Sequence, residues 1–154
     1  MRFSARCEYA IHSLLYLRLQ KGDRPIKITE VARVQGLSAH YLTKIFRDLT
    51  QAGLMESYRG SGGGYRMRPE CERISLKDII LAVEGQANPY QDEWKLRGCR
   101  LAQSCLIKDV FTRAYNRMLE ELDKVTIDDV AQQFLVKGFP PWVVAPKRNH
   151  KDLK

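Results

Sequence analysis

The stretch ITEVARVQGLSAHYLTKIFRDLTQAGLMESYRGSGGGYRMR, residues 28–68, decides the fold. It divides into two short helices, a turn between them and a glycine-rich hairpin. Thr29 can accept a hydrogen bond from an early helical N–H, so the first helix is expected to start there. Val31, Ala32 and Val34 give that helix its apolar side. Gly36 stops it, because glycine tolerates the left-handed conformation at a helix end. Ser38 then caps a second helix reaching to about Gln51. Tyr41, Leu42, Ile45, Phe46 and Leu49 recur at three- and four-residue spacing and form its apolar stripe. Ala39, His40, Thr43, Lys44 and Arg47 stand on the other face, and Gly53 closes the helix. Residues 54–57 and 65–67 are short strands around RGSGGGY, residues 59–65, where glycines let the backbone turn sharply. A plain hairpin beside a small helical domain would explain the glycines alone. Helix, glycine turn, capped basic helix and glycine wing in this order point to a winged helix-turn-helix, which lays one helix in the DNA major groove. The polar face of that helix can meet base edges and phosphates.

The whole chain fits this reading. Its 154 residues suit one compact domain, or a small domain with an extension. Hydrophobic residues make up 44% and charged residues 29%, so a packed protein is expected rather than a disordered one. The formal net charge is +8 and the pI about 9.5, a balance that favours nucleic acid over acidic substrates. Neither a bilayer-spanning apolar run nor a secretory leader pattern is present, so a cytoplasmic protein with no membrane partner is expected. In that compartment Cys7, Cys71, Cys99 and Cys105 are expected as thiols or metal ligands rather than disulfides.

Outside the central stretch, Ser4 is expected to cap a first helix running to about Gln20. Cys7, Ala10, Ile11, Leu14 and Leu17 would face its core. Glu8 and His12, four apart, project from one side. Ser75 with Asp78 three residues later resembles a capping box opening a helix that Gly85 stops. Residues 86–100 show no period and read as an irregular loop. From Leu101 to about Lys124 the chain reads as one long helix striped by Ile107, Phe111, Ala114, Met118, Leu122 and Val125. Such a stripe on a small domain needs a partner surface. A symmetric dimer supplies one and suits a palindromic operator; packing within the same chain is the alternative. Thr126 and Asp129 mark a last helix to about Val136, followed by a proline-bearing basic tail. The fold class is therefore mainly α with a small β-hairpin wing: a winged helix-turn-helix plus a long dimerisation helix. The expected division is a DNA-binding part (1–70), a connecting helix and cysteine-bearing loop (71–100), dimerisation helices (101–136) and a tail (137–154).

These residues resemble a known family. MRFSARCEYAIHSLLYL (1–17), GLSAHYLTKIFRDLTQAGL (36–54), RGSGGGYRM (59–67), ISLKDIILAVEG (74–85) and TIDDV (126–130) are similar to the iron–sulfur cluster regulators and nitric-oxide-sensing repressors (IscR/NsrR-type), bacterial winged-helix transcription factors. The likeness runs to about Leu135. It implies a homodimer crossed through the long helix, with one winged helix on each half-site of double-stranded DNA. It implies that Ser38, His40, Tyr41, Thr43 and Arg59 lie at DNA-contacting positions. Lys44, Arg47, Arg66 and Arg68 would add phosphate or groove contacts, beside the wing glycines Gly62 and Gly63. Thr43 stands where some relatives carry a glutamate used for base discrimination, which bears on operator preference.

The resemblance also implies a 2Fe–2S cluster in the loop before the long helix. Here the sequence departs from the commonest pattern. Relatives often carry three cysteines in this loop; here it keeps only Cys99 and Cys105, with Glu93 or Trp94 where the earliest would fall and Lys108 near the place of a later histidine. Two cysteines cannot complete a four-ligand cluster site. Some redox-sensing relatives add a glutamate and a histidine of the first helix, and Glu8 and His12 stand at those positions here. The implied site takes Glu8 and His12 from one subunit and Cys99 and Cys105 from the other. Mixed thiolate, imidazole and carboxylate ligation should be labile, as suits a sensor. A Glu–His pair four apart is otherwise a surface pair, and a regulator without a cluster, sensing by thiol, small ligand or partner protein, stays open. A zinc module fits poorly without a CxxC pair. Catalysis fits poorly too, since no nucleophile elbow, phosphate-binding loop or metalloprotease motif occurs.

Overall fold

A computed structural model of the chain describes residues 3–20, 24–68, 73–85 and 105–138. Among these, the chain forms α1 (Ala5–Leu19), α2 (Ile28–Gln35), α3 (Ala39–Gln51), β1 (Met55–Tyr58), β2 (Gly64–Met67), α4 (Leu76–Glu84), α5 (Leu106–Asp123) and α6 (Ile127–Lys137). This is the expected mainly helical architecture with one hairpin. The strands pair antiparallel in the register Met55↔Met67, Glu56↔Arg66, Ser57↔Tyr65 and Tyr58↔Gly64. None of the described helices is long and apolar enough to cross a membrane.

Local chemistry sets most boundaries. Gly36 adopts φ +66 after α2, and the Leu37 N–H reaches back to the Ala32 carbonyl (2.9 Å). Gly53, at φ +75, closes α3 in the same way, with the Leu54 N–H on the Leu49 carbonyl (3.0 Å). Leu37 and Leu54 then pack against the core, the apolar contact that accompanies this kind of helix stop. Ser75 with Asp78 and Thr126 with Asp129 both form complete capping boxes.

Two helix starts differ from expectation. Helix α2 begins at Ile28, with Lys27 at the capping position, so Thr29 sits inside the first turn instead of capping it. Ser4 does flank α1, but its hydroxyl makes no cap bond and donates instead to the Glu84 carboxylate at the end of α4. A cap would need the Ser4 oxygen as an acceptor aimed at a helical N–H; the charge-assisted bond that its O–H donates to Glu84 orients the side chain elsewhere. The strands also lie one residue off the expected bounds.

Helix α1 is the central element, contacting α2, α3, α4, α6 and β2. Enclosure on so many sides buries Ser13, Leu15 and Tyr16 along with the expected Cys7, Ala10, Leu14 and Leu17. Most polar groups in this layer are paired, although the buried Gln35 Oε1 has no partner among the described residues. The Ser13 hydroxyl donates to the Tyr9 carbonyl (2.7 Å) and accepts from the Gln35 amide (2.9 Å), and the Tyr16 hydroxyl donates to Glu30 (3.0 Å). From α3, Leu42, Ile45, Phe46 and Leu49 are fully buried against α1. Phe46 meets the Tyr65 ring edge-on at 4.8 Å, which seats the hairpin on the helices.

Candidate nucleic-acid interface and sensor groove

The face of α3 opposite its buried stripe carries His40, Thr43, Lys44 and Arg47, all exposed. Ser38 is committed to the cap, its Oγ accepting from the Tyr41 N–H at 3.1 Å, and so fixes the start of this helix. Thr43 Oγ1 donates back to the Ala39 carbonyl (2.8 Å), leaving its methyl and oxygen lone pairs outward. Tyr41 is half-buried and meets the Tyr9 ring edge-on at 5.9 Å, so it leans on α1 at the margin of the face. Arg47 lies 3.7 Å from Asp48, and Asp48 is held by Arg6 of α1.

The wing loop carries exposed Arg59 at its root. Glycine is forced at Gly63, where a Cβ would stand 2.3 Å from the Tyr58 carbonyl oxygen. Gly62 faces open space. Arg66 lies with its guanidinium over the Tyr58 ring (5.2 Å) and donates to the Tyr58 hydroxyl (2.6 Å). The same hydroxyl donates to Glu56, which Arg66 and Arg68 approach at 3.6 and 3.8 Å. That hydrogen bond, with the two cations behind it, holds the Glu56 carboxyl below its ordinary pKa. Arg66 is thus part of a hairpin network, while Arg59, Lys44 and His40 point away from the body.

A third strand-like segment was not legible beforehand. Ile26 exchanges both backbone hydrogen bonds with Tyr65 at 2.8 Å, adding one residue to the open side of β2. Gly64 permits this approach, since a Cβ there would lie 2.5 Å from the Ile26 carbonyl oxygen. The only signal in the sequence was one more glycine in the wing than a tight turn needs.

Glu8 and His12 do share one side of α1. They line a groove of about 300 Å³ between α1 and α4, together with Phe3, Cys7, Ile11 and Ile80. Glu8 is exposed and His12 half-buried. Burial pushes the His12 pKa down, against the opposing pull of Glu8, which favours the neutral ring at neutral pH. Cys7 lies at the back of the groove, 2% exposed, its thiol donating to Glu84 at 3.0 Å. Burial first and Glu84 second push it up to about 12, so it remains a thiol. Cys105 is the half-buried residue that flanks the start of α5, and its thiol is free. Cys99 and Cys71 lie outside the described residues. Among the described residues no group of three or more histidine, cysteine, aspartate or glutamate side chains is gathered for a metal ion. The structure therefore brings Glu8 and His12 together, and Cys105 is not among the residues lining their groove.

A capped, outward-facing basic helix with a wing anchored beside it defines a winged-helix DNA-binding transcriptional regulator. The chain belongs to the Rrf2 family, whose model, described as an iron-dependent transcriptional regulator, matches residues 3–133. Protein aau3 of Rhizobium meliloti is 34% identical, covering 86% of this chain and 86% of its own. Among solved structures, T. potens IscR superposes with a TM-score of 0.70 at 26% identity, covering 91% of this chain and 93% of that one. CymR, the global cysteine regulator of B. subtilis, superposes with a TM-score of 0.64 at 28% identity, covering 86% and 98%.

Proposed function

We propose that this protein acts as a cytoplasmic homodimer on a palindromic operator, and that a labile 2Fe–2S cluster sets its affinity for DNA. Residues 1–70 would read DNA, 71–100 carry the sensor loop and 101–136 join the subunits. Ser38, His40, Tyr41, Thr43, Lys44, Arg47, Arg59, Gly62, Gly63 and Arg66 would form the DNA face. Glu8 and His12 of one subunit, with Cys99 and Cys105 of the other, would hold the cluster. Bound there, the cluster would supply a tie between subunits that oxidation or nitrosylation can break.

One observation carries this reading: Glu8 and His12 face one groove on the helix that also steers α3. A neutral imidazole and an exposed carboxylate fit the donor set that two thiolates leave incomplete. The route from groove to DNA is short. One turn of α1 contains Arg6, paired with Asp48 of α3, and Cys7, bonded to Glu84 where α4 gives way to the sensor loop. A pull on Glu8 therefore acts on the recognition helix through the same turn. A coupling of about 1–3 kcal/mol shifts DNA affinity by roughly 5- to 150-fold.

The test is the absorption spectrum of protein purified anaerobically from iron-replete cells, with iron and sulfide assays. Visible bands with about two irons and two sulfides per chain are expected. His12→Ala and Cys99→Ala should each bleach them. Colourless, iron-free protein that still binds DNA would remove the ligand assignment. It would leave a regulator sensing by thiol, small ligand or partner protein, a reading favoured by the likeness to the global cysteine regulator CymR.

A further inference from the structure

The backbone pairing of Ile26 with Tyr65 fixes the residue that follows it. Lys27 leaves the edge of the hairpin and flanks the start of α2. It lines one side of a cleft of about 570 Å³, with Arg59 of the wing root also lining it. Both side chains are exposed, and neither has an ion pair among the described residues. Thr29, Ser57 and Ser61 add aliphatic hydroxyls to the lining, beside the phenols of Tyr58 and Tyr65. An acidic side chain is missing from that lining, in contrast to the network around Arg66, where Glu56 absorbs two cations. Two cations and three aliphatic hydroxyls around one cleft are donors for a phosphodiester, and they carry no pattern that would read a base.

We propose that this cleft grips the DNA backbone, with Lys27 as a phosphate-contacting residue beside Arg59. The inference rests on DNA binding through the α3 and wing face. It assigns the wing a second task. Besides reaching into a groove, the wing forms one wall of a backbone clamp whose other wall is the start of α2. Gly64 belongs to the same device, because only a residue without a Cβ lets Ile26 come close enough to hold Lys27 at the wing.

The experiment is the salt dependence of binding to a mixed-sequence duplex of about 30 base pairs, so that no operator need be known. Lys27→Gln should lower the slope of log affinity against log salt by about 0.9 per bound subunit, roughly an eightfold loss for each subunit at about 0.1 M salt. Lys44→Gln serves as the reference for the recognition face, and far-UV circular dichroism confirms that both variants fold. A slope that falls for Lys44→Gln but not for Lys27→Gln overturns the clamp and leaves the DNA face standing. Slopes unchanged in both variants overturn the face and the clamp together. Gly64→Ala gives a second arm, in which affinity for the mixed duplex should fall while the melting curve stays cooperative. Unchanged affinity there would separate Lys27 from the wing and overturn the clamp.

Discussion

Helices α3 and α5 are both amphipathic, but their apolar sides meet different fates. In α3, Leu42, Ile45, Phe46 and Leu49 are fully enclosed by their own chain. In α5 no residue is buried, and Leu106, Ile107, Val110 and Phe111 are 71%, 59%, 47% and 42% exposed. Among the described elements, the helix packed against α5 is α4. The difference separates a part that is finished by folding from a part that folding leaves waiting. Large apolar residues as exposed as Leu106, Ile107 and Val110 are costly to leave in water unless another surface covers them.

The sharpest break of this contrast is Phe46→Ala. Removing a fully buried aromatic ring should cost about 3–5 kcal/mol in urea unfolding, because the cavity cannot collapse without moving Tyr65. That loss should not depend on protein concentration. Phe111→Glu should do the reverse, with little effect on the fold of one subunit. It should weaken self-association by at least about 2 kcal/mol, roughly 30-fold, read by sedimentation over a dilution series. A Phe111→Glu protein that associates as tightly as the parent would refute the dimer stripe. Next come the caps. Thr126→Ala should destabilise by about 1 kcal/mol. Ser75→Ala should cost more, since the Ser75 hydroxyl is buried and also reaches Asp123 at 3.1 Å. Equal losses would mean that the Asp123 contact contributes nothing.

The smallest effect is a pH dependence. His12 has a folded pKa below its ordinary 6.5, caused by burial. Just below that pH the unfolded chain binds more protons than the folded one, so stability falls as the solution is acidified through the window under 6.5. Urea midpoints of metal-free protein at about pH 7.5 and pH 5.5 should differ less in His12→Gln than in the parent. An identical pH dependence in the two would show that the groove does not desolvate this ring.

Features written in neighbouring residues were legible in the sequence. The Ser38 cap, both capping boxes and the Gly36 and Gly53 stops each need only a few adjacent positions, and all appear where the pattern put them. The stripe of α3 was legible for the same reason. The start of α2 was misplaced by local residues alone, since Lys27 and not Thr29 stands at the cap, but the other misses depend on partners far along the chain. Ser4 gave up its cap bond for Glu84, eighty positions away. Ile26 joined the hairpin through a single backbone bridge that no side-chain pattern announces. At the groove, the spacing of Glu8 and His12 was readable, but the Arg6–Asp48 link from that turn to α3 was not, because ion pairs between helices leave no period in sequence.

The two capping boxes lie next to each other in space. Ser75 and Thr126 form an antiparallel bridge, with the Leu76 N–H on the Val125 carbonyl and the Ile127 N–H on the Ile74 carbonyl, each at 2.9 Å. This stitch clamps the last turn of α5 to the body, so the helix is a lever with a fixed fulcrum. Its 18 residues at about 1.5 Å each give an arm of roughly 27 Å. A tilt of about 5° at the stitch then swings the far end, where Cys105 stands, through roughly 2.4 Å. Read in the other direction, an ångström-scale displacement at that cysteine reaches the body geared down to a rotation of a few degrees.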